Sequence, residues 1–184
     1  MTQHSPSLGE RASRVRLLAL DVDGVLTDGA VHYHSDGGET KVFDTQDGLG
    51  LRLALEHGID IALITGRDSP MVARRAGELG IAHLLQGRND KHRALTELAS
   101  RLGITLDECA YCGDDLPDLG AIQAAGLGLS VANAPEYVRV HADYVTERRG
   151  GQGAVRELCE LLLEARGAWA GIVAGYRLPR QTAP

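Results

Sequence analysis

The chain has 184 residues, enough for one domain with at most a small insert, and 43% of them are hydrophobic, which supplies a sizeable core. A formal net charge of −6, with basic residues scattered along the chain, excludes nucleic acid or an anionic membrane as the principal partner. No apolar stretch nears the roughly 20 residues that cross a bilayer, and residues 1–14 lack the apolar middle of a secretory signal, so the expected compartment is the cytoplasm.

Residues 1–13 read as a disordered leader. The first core strand is the apolar run Val15–Leu20, which delivers Asp21-Val22-Asp23-Gly24-Val25-Leu26-Thr27-Asp28-Gly29. Asp21 and Asp23 stand two apart in extended chain, and carboxylates that close repel unless a cation or a shared proton relieves them. An EF-hand loop begun at Asp21 is ruled out by Val25 and His32 at positions that need oxygen ligands. Two alternating arms around Ser35–Glu39 predict a β-hairpin over about 30–44. His32 and His34 within it are expected to be solvated or interfacial.

A helix carrying Leu49, Leu51, Leu53 and Leu55 is expected over Gly48–His57, with Gly58 as its stop. Asp60–Ile64 reads as the second core strand and ends in Thr65-Gly66-Arg67-Asp68. Ser69 and Pro70 then open a helix that Gly80 ends. A strand at His83–Leu85, a helix from Asp90 to Leu102 and a strand at Glu108–Cys112 follow. That strand runs into Gly113-Asp114-Asp115-Leu116-Pro117-Asp118. Next come a helix to Ala125, a strand at Gly128–Val131, a helix opened by Asn133-Ala134-Pro135, and a short strand at Ala142–Thr146. Gly150-Gly151-Gln152-Gly153 leads into a helix through Arg166. The tail, 167–184, carries Trp169, Ile172, Val173 and Tyr176 at helical spacing, so a short packed helix and then a disordered end are expected. Three cysteines imply no disulfide framework, and Cys109 and Cys112 lie three apart on a strand, so buried thiols are expected.

Strands alternating with helices predict an α/β fold with a mainly parallel sheet, as a single domain over 14–166. Ligands of such sheets bind beyond the carboxyl ends of the strands. Three strands end in polar clusters there: Asp21/Asp23, Thr65/Arg67 and Asp114/Asp115/Asp118, with Lys91 opening the helix between the last two. Any one cluster could be turn formers or helix caps. Three on one sheet edge with a lysine point to chemistry.

These residues, in this order, resemble the haloacid dehalogenase-like superfamily: D-x-D-G-x-T/V after the first strand, a Ser or Thr ending the second, then a Lys, then an acidic pair. The resemblance implies a Rossmann-like three-layer fold with the small hairpin in place of a cap domain, and phosphate-ester hydrolysis with Mg²⁺. It implies that Asp21 is the nucleophile and Asp23 the acid and base. Mg²⁺ would be held by Asp21, the backbone carbonyl of Asp23 and Asp114. Thr65 and Lys91 would hold the phosphoryl group, while Asp115 and Asp118 orient the metal site.

Within that superfamily the hairpin layout, Phe43–Gly50 and Gly150–Glu157 resemble the family of 3-deoxy-D-manno-octulosonate 8-phosphate phosphatases. That resemblance implies an anionic sugar acid phosphate as substrate. Its pocket would comprise Asp23, Asp44, Thr45, Gln46, Asp47, Gly48, Arg52, Arg67, Arg75 and Lys91, with Arg74 pointing elsewhere. It also implies a homotetramer in which hairpins associate and one subunit's carboxyl segment closes its neighbour's site. Gln152 stands where many relatives carry Arg, and the Gly-rich segment around it can also be read as a flexible helix-entry loop. The rival readings are a phosphatase for a nine-carbon acid sugar 9-phosphate, a phosphomutase, and a non-catalytic oligomerisation module on the same scaffold.

Overall fold

Runs of Leu, Ile, Val and Ala, apolar on both sides, build strands buried on both faces of a parallel sheet. In a computed structural model, which describes residues 6–177, six strands form the central sheet, the inner ones buried on both faces and the two edge strands half-buried. They are β1 (Leu17–Leu20), β4 (Asp60–Ile64), β5 (His83–Leu85), β6 (Cys109–Gly113), β7 (Leu127–Ser130) and β8 (Tyr144–Val145). Their order is β5-β4-β1-β6-β7-β8, and every neighbouring pair is parallel. Leu18 pairs with Ile61 on one side and with Ala110 on the other. The chain therefore builds outward from β1 in one direction and then in the other. The strand order reverses at β1, where a crevice opens beyond the carboxyl ends of β1, β4 and β6.

The helices are α1 (Leu8–Arg14), α2 (Thr45–Glu56), α3 (Pro70–Leu79), α4 (Lys91–Leu102), α5 (Leu119–Ala124), α6 (Glu136–Arg139), α7 (Ala154–Ala165) and α8 (Trp169–Gly175). One core cluster joins both faces of the sheet to α1–α7, including Leu51, Leu95, Ile122 and Leu158. The three cysteines are buried and free, as expected.

The leader expected to be disordered over 1–13 is instead helical from Leu8; residues 1–5 lie outside the described residues. Ser7 and Glu10 form a capping box, the Ser7 N–H donating to Glu10 Oε2 at 2.7 Å. Arg11 then clamps α1 to the far edge of the sheet through both Asp143 oxygens, at 2.7 and 2.6 Å. The helix α2 begins at Thr45 rather than Gly48, because the Asp44 side chain accepts the N–H groups of Gln46 and Asp47 at 2.6 and 3.2 Å.

The hairpin forms, but only β2 (His32–Tyr33) and β3 (Glu39–Thr40) pair, as a separate two-stranded antiparallel sheet. Residues 41–44, expected to be strand, are consumed in returning the chain to α2. In the tail, α8 lies against α7 with the Trp169 ring 5.1 Å from the Arg156 guanidinium carbon, and residues 178–184 lie outside the described residues.

Candidate active site

Asp21 takes its place because β1 ends there: its N–H donates to Cys112 O at 2.9 Å, prolonging the ladder, while its side chain turns out of the sheet. Lys91, the first residue of α4, brings its Nζ to 2.8 Å from Asp21 Oδ1 and 2.7 Å from Asp118 Oδ1. All three side chains are buried. The Tyr111 hydroxyl, rising from β6, donates to the same Asp118 oxygen at 2.7 Å. The other oxygen, Asp118 Oδ2, accepts the N–H groups of Asp114 and Asp115, each at 3.1 Å. Four donors therefore occupy the Asp118 carboxylate.

Carboxylate oxygens of Asp21, Asp114 and Asp118 lie within 4.8 Å of one another. Since Asp118 is already committed, Asp21 and Asp114 are the two left to face a cation. Their surroundings suit a hard divalent ion. Burial above all, with the charge of Asp118 adding and Lys91 opposing, pushes the Asp21 carboxyl up to about 6. Burial, then Asp21 and Asp118, pushes Asp114 up to about 7. A divalent cation relieves such crowding. Burial pulls the Lys91 ammonium down, but Asp21 and Asp118 outweigh it and its pKa is raised. Gly24 makes the approach possible: with φ +95°, it leaves open a space where a Cβ would sit 2.0 Å from Asp114 Oδ2.

Asp23 faces the hairpin. It accepts a hydrogen bond from Lys41 and lies 4.0 Å from Arg67 Nε, while Arg67 Nη2 donates to Glu39 Oε2 at 2.9 Å. The Thr65 hydroxyl, buried at the end of β4, accepts the Arg67 N–H at 3.3 Å. Asp21, Asp23, Thr65, Arg67, Lys91 and Asp114 line one cavity of about 320 Å³, together with Asn89. A second cavity, of about 350 Å³, is lined by Lys41, Phe43, Thr45 and Arg75. A larger hollow, of about 790 Å³, runs along β5 and α4 and holds none of these groups.

The structure separates the expected substrate residues. Thr45 and Arg75 line the second cavity, where the Arg75 guanidinium carbon lies 5.9 Å from the Phe43 ring centre. Gly48 belongs with them, since a Cβ there would meet Arg75 Nη2 at 2.4 Å. Arg74, expected to point elsewhere, also lines this cavity while pairing with Glu78 at 2.9 Å. Asp47 is turned away: it is buried, and its Oδ1 accepts the Arg156 N–H at 2.7 Å in the first turn of α7. Its Oδ2 has no partner, and burial pushes its carboxyl up to about 6. Helix N-termini attract carboxylates, and α7 has captured this one. Gln46 accepts from Arg148 at 3.2 Å, Asp44 caps α2, and Arg52 is exposed on α2 and lines neither cavity.

The Gly-rich segment 150–153 is packed against the loop that follows β1. Gly150 donates to Asn133 Oδ1 at 2.6 Å, Asn133 Nδ2 donates to Gly24 O at 2.9 Å, and Gly151 donates to Val25 O at 3.0 Å. Gln152 is exposed at its turn. Sequence reasoning missed Lys41, Glu39, Asn89, Tyr111 and Asn133. Of these only Tyr111 carried a signal, as the one large polar side chain in an otherwise apolar strand.

A family model described as haloacid dehalogenase-like hydrolase matches residues 79–158. The chain is 46% identical over 163 residues to the 3-deoxy-D-manno-octulosonate 8-phosphate phosphatase of Salmonella typhimurium, covering 89% of this chain and 87% of the relative. The crystal structure of the corresponding phosphatase from Moraxella catarrhalis, in complex with magnesium, phosphate and KDO, superposes with a TM-score of 0.92. It shares 50% identity and covers 95% of this chain and all of that one. A cobalt-bound form of the Haemophilus influenzae phosphatase superposes with a TM-score of 0.84 at 39% identity, over 87% of this chain and 94% of that one.

Proposed function

Because the chain belongs to the 3-deoxy-D-manno-octulosonate 8-phosphate phosphatase family of the haloacid dehalogenase-like hydrolases, we propose that it hydrolyses this eight-carbon acid sugar phosphate to KDO and phosphate. One observation carries the reading: Lys91, Asp21 and Asp114 converge from three elements on one point at the sheet's switch.

Asp21 is the nucleophile. A carboxylate oxygen attacks phosphorus, the bond to the sugar oxygen breaks, and an acyl phosphate forms on Asp21. Asp23, beside it on the same loop, gives its proton to the leaving sugar oxygen. It then takes a proton from the water that attacks phosphorus, which frees Asp21 and inorganic phosphate. Lys91 and the Thr65 hydroxyl hold the transferring group, and Asp118 holds Lys91. Asp21, the carbonyl of Asp23 and Asp114 would hold Mg²⁺, which when bound supplies charge that offsets repulsion between an anionic nucleophile and an anionic phosphate. Arg75, in the second cavity, is the guanidinium partner for the remote carboxylate of the substrate, while Arg67 borders the cavity that takes the phosphate.

The same reading makes the hairpin a subunit contact, supported by the exposure of Tyr33 on β2 and of Val42 just beyond β3. It makes the assembly a homotetramer. It also places the enzyme in the cytoplasm, supported by the charge of a substrate that cannot cross a bilayer unaided. No helix among the described residues is long and apolar enough to cross a membrane.

The test is kcat/KM with Mg²⁺ and with chelator, over eight- and nine-carbon acid sugar phosphates. The eight-carbon 8-phosphate is expected to be preferred and chelation to silence turnover. The variant Asp21→Asn is expected to lose at least about a thousandfold in kcat while staying folded. Turnover by that variant near the wild-type rate would remove Asp21 as nucleophile, and preference for a nine-carbon 9-phosphate would reassign the substrate.

A further inference from the structure

Lys41 is the first residue after β3, where the chain leaves the hairpin, and an ammonium beside a surface ribbon would ordinarily lie in water. Here its side chain is only 1% exposed. It donates to Asp23 on one side and stands 3.6 Å from Glu39 Oε1 on the other, too far for a normal hydrogen bond. Glu39 Oε2 is taken by Arg67 at 2.9 Å, but Glu39 Oε1 is buried with no partner. Asp23, Lys41, Glu39 and Arg67 thus form a closed ring of alternating acids and bases, with one oxygen left short.

The position of the ring matters as much as its charge. Asp23 and Arg67 line the cavity that holds Asp21, whereas Lys41 lines the neighbouring cavity with Thr45 and Arg75. Lys41 and Asp23, one from each lining, are in contact, and Glu39 packs against Lys41 without itself lining either cavity. An elongated substrate with its phosphate at Asp21 and its carboxylate at Arg75 must pass this point.

The geometry points to Glu39 and Lys41 as a hydroxyl-recognising subsite for the polyol body of an acid sugar phosphate. Glu39 Oε1 accepts a sugar O–H, and Lys41 Nζ donates to the oxygen of the same or the next hydroxyl. Such a pair satisfies the stranded oxygen and closes the gap between the two side chains. A small aryl phosphate has nothing to offer it. With two basic groups against two acids, the ring carries no net negative charge to repel an anionic ligand, yet still presents both a donor and an acceptor.

The inference rests on the phosphatase reading, and the experiment keeps the two apart. Wild type, Glu39→Gln and Lys41→Met are assayed with Mg²⁺ on 3-deoxy-D-manno-octulosonate 8-phosphate and on p-nitrophenyl phosphate, each variant first shown to melt as cooperatively as wild type. The subsite predicts that each variant loses about 10- to 100-fold more kcat/KM on the sugar than on the aryl ester, chiefly through KM. Equal losses on both substrates would overturn it and leave Lys41 acting through Asp23 alone. No loss on the sugar would overturn it as well. Should the wild-type enzyme hydrolyse neither compound, the phosphatase reading itself would fail.

Discussion

The Tyr111 phenol and the Lys91 ammonium donate to the same oxygen of Asp118, and two backbone N–H groups fill the other. Asp118 touches no solvent, so any donor it loses is not replaced by water. The change Tyr111→Phe keeps the ring and its packing but strands part of a buried carboxylate. It is expected to lower stability by about 1–3 kcal/mol in a denaturant titration and to reduce kcat more than KM, as Lys91 shifts on Asp21. A variant with wild-type stability and kcat would show that Lys91 needs no such support. At this scale the acids that end the strands were legible in the sequence, because each follows directly on an apolar run. Lys41 was not, because its partner Asp23 lies 18 residues away and the contact exists only once the hairpin folds back.

Between elements, the loop after β1 is held in a vice whose other jaw is Gly150–Gly153. A Cβ at Gly150 would meet Gly24 O at 1.8 Å, backbone against backbone, with no flexible side chain to yield. Gly77, within α3, has nothing within 4 Å of the same position. Gly150→Ala is therefore expected to lower Tm markedly and to cost on the order of a few kcal/mol. Gly77→Ala is expected to gain about 1 kcal/mol through helix propensity. Equal thermal shifts for the two would show that the segment is not clamped. Strand and helix positions were largely readable from periodicity, and α3, β5 and α4 fall within a residue of expectation. The helix α1 was readable too, since Ser7 and Glu10 have capping-box spacing, but a polar leader masked it. The Asp47 carboxylate was misplaced for another reason: in sequence it adjoins the substrate stretch, yet α7 arrives from more than a hundred residues away to take it.

For the molecule as a whole, burial leaves the free enzyme holding carboxyls that titrate late. Asp21 and Asp47 are raised from 3.8 to about 6 and Asp114 to about 7. Between about pH 4 and 7 the folded chain retains protons that the unfolded chain has released. These groups therefore contribute stability fully present below pH 4 and lost as pH rises through 6 and 7. Mg²⁺ would displace those protons at Asp21 and Asp114 but leave Asp47 unaffected. The gap in Tm between Mg²⁺-loaded and chelated enzyme is expected to widen from pH 5 to 7.5, by the equivalent of about 1–3 kcal/mol. A gap that is constant or narrows would separate the ion from these two aspartates. The fold class was legible, because strands alternating with helices imply a mainly parallel sheet, but the strand order, with β1 at its reversal, came only from the structure.

The aspartate-lined cavity carries an imbalance of charge. Five carboxylates surround it against one ammonium and one guanidinium, so an incoming dianion meets a repulsive field. The cation is therefore expected to strengthen binding of the sugar ester, which a comparison of ester affinity with Mg²⁺ and with chelator would read.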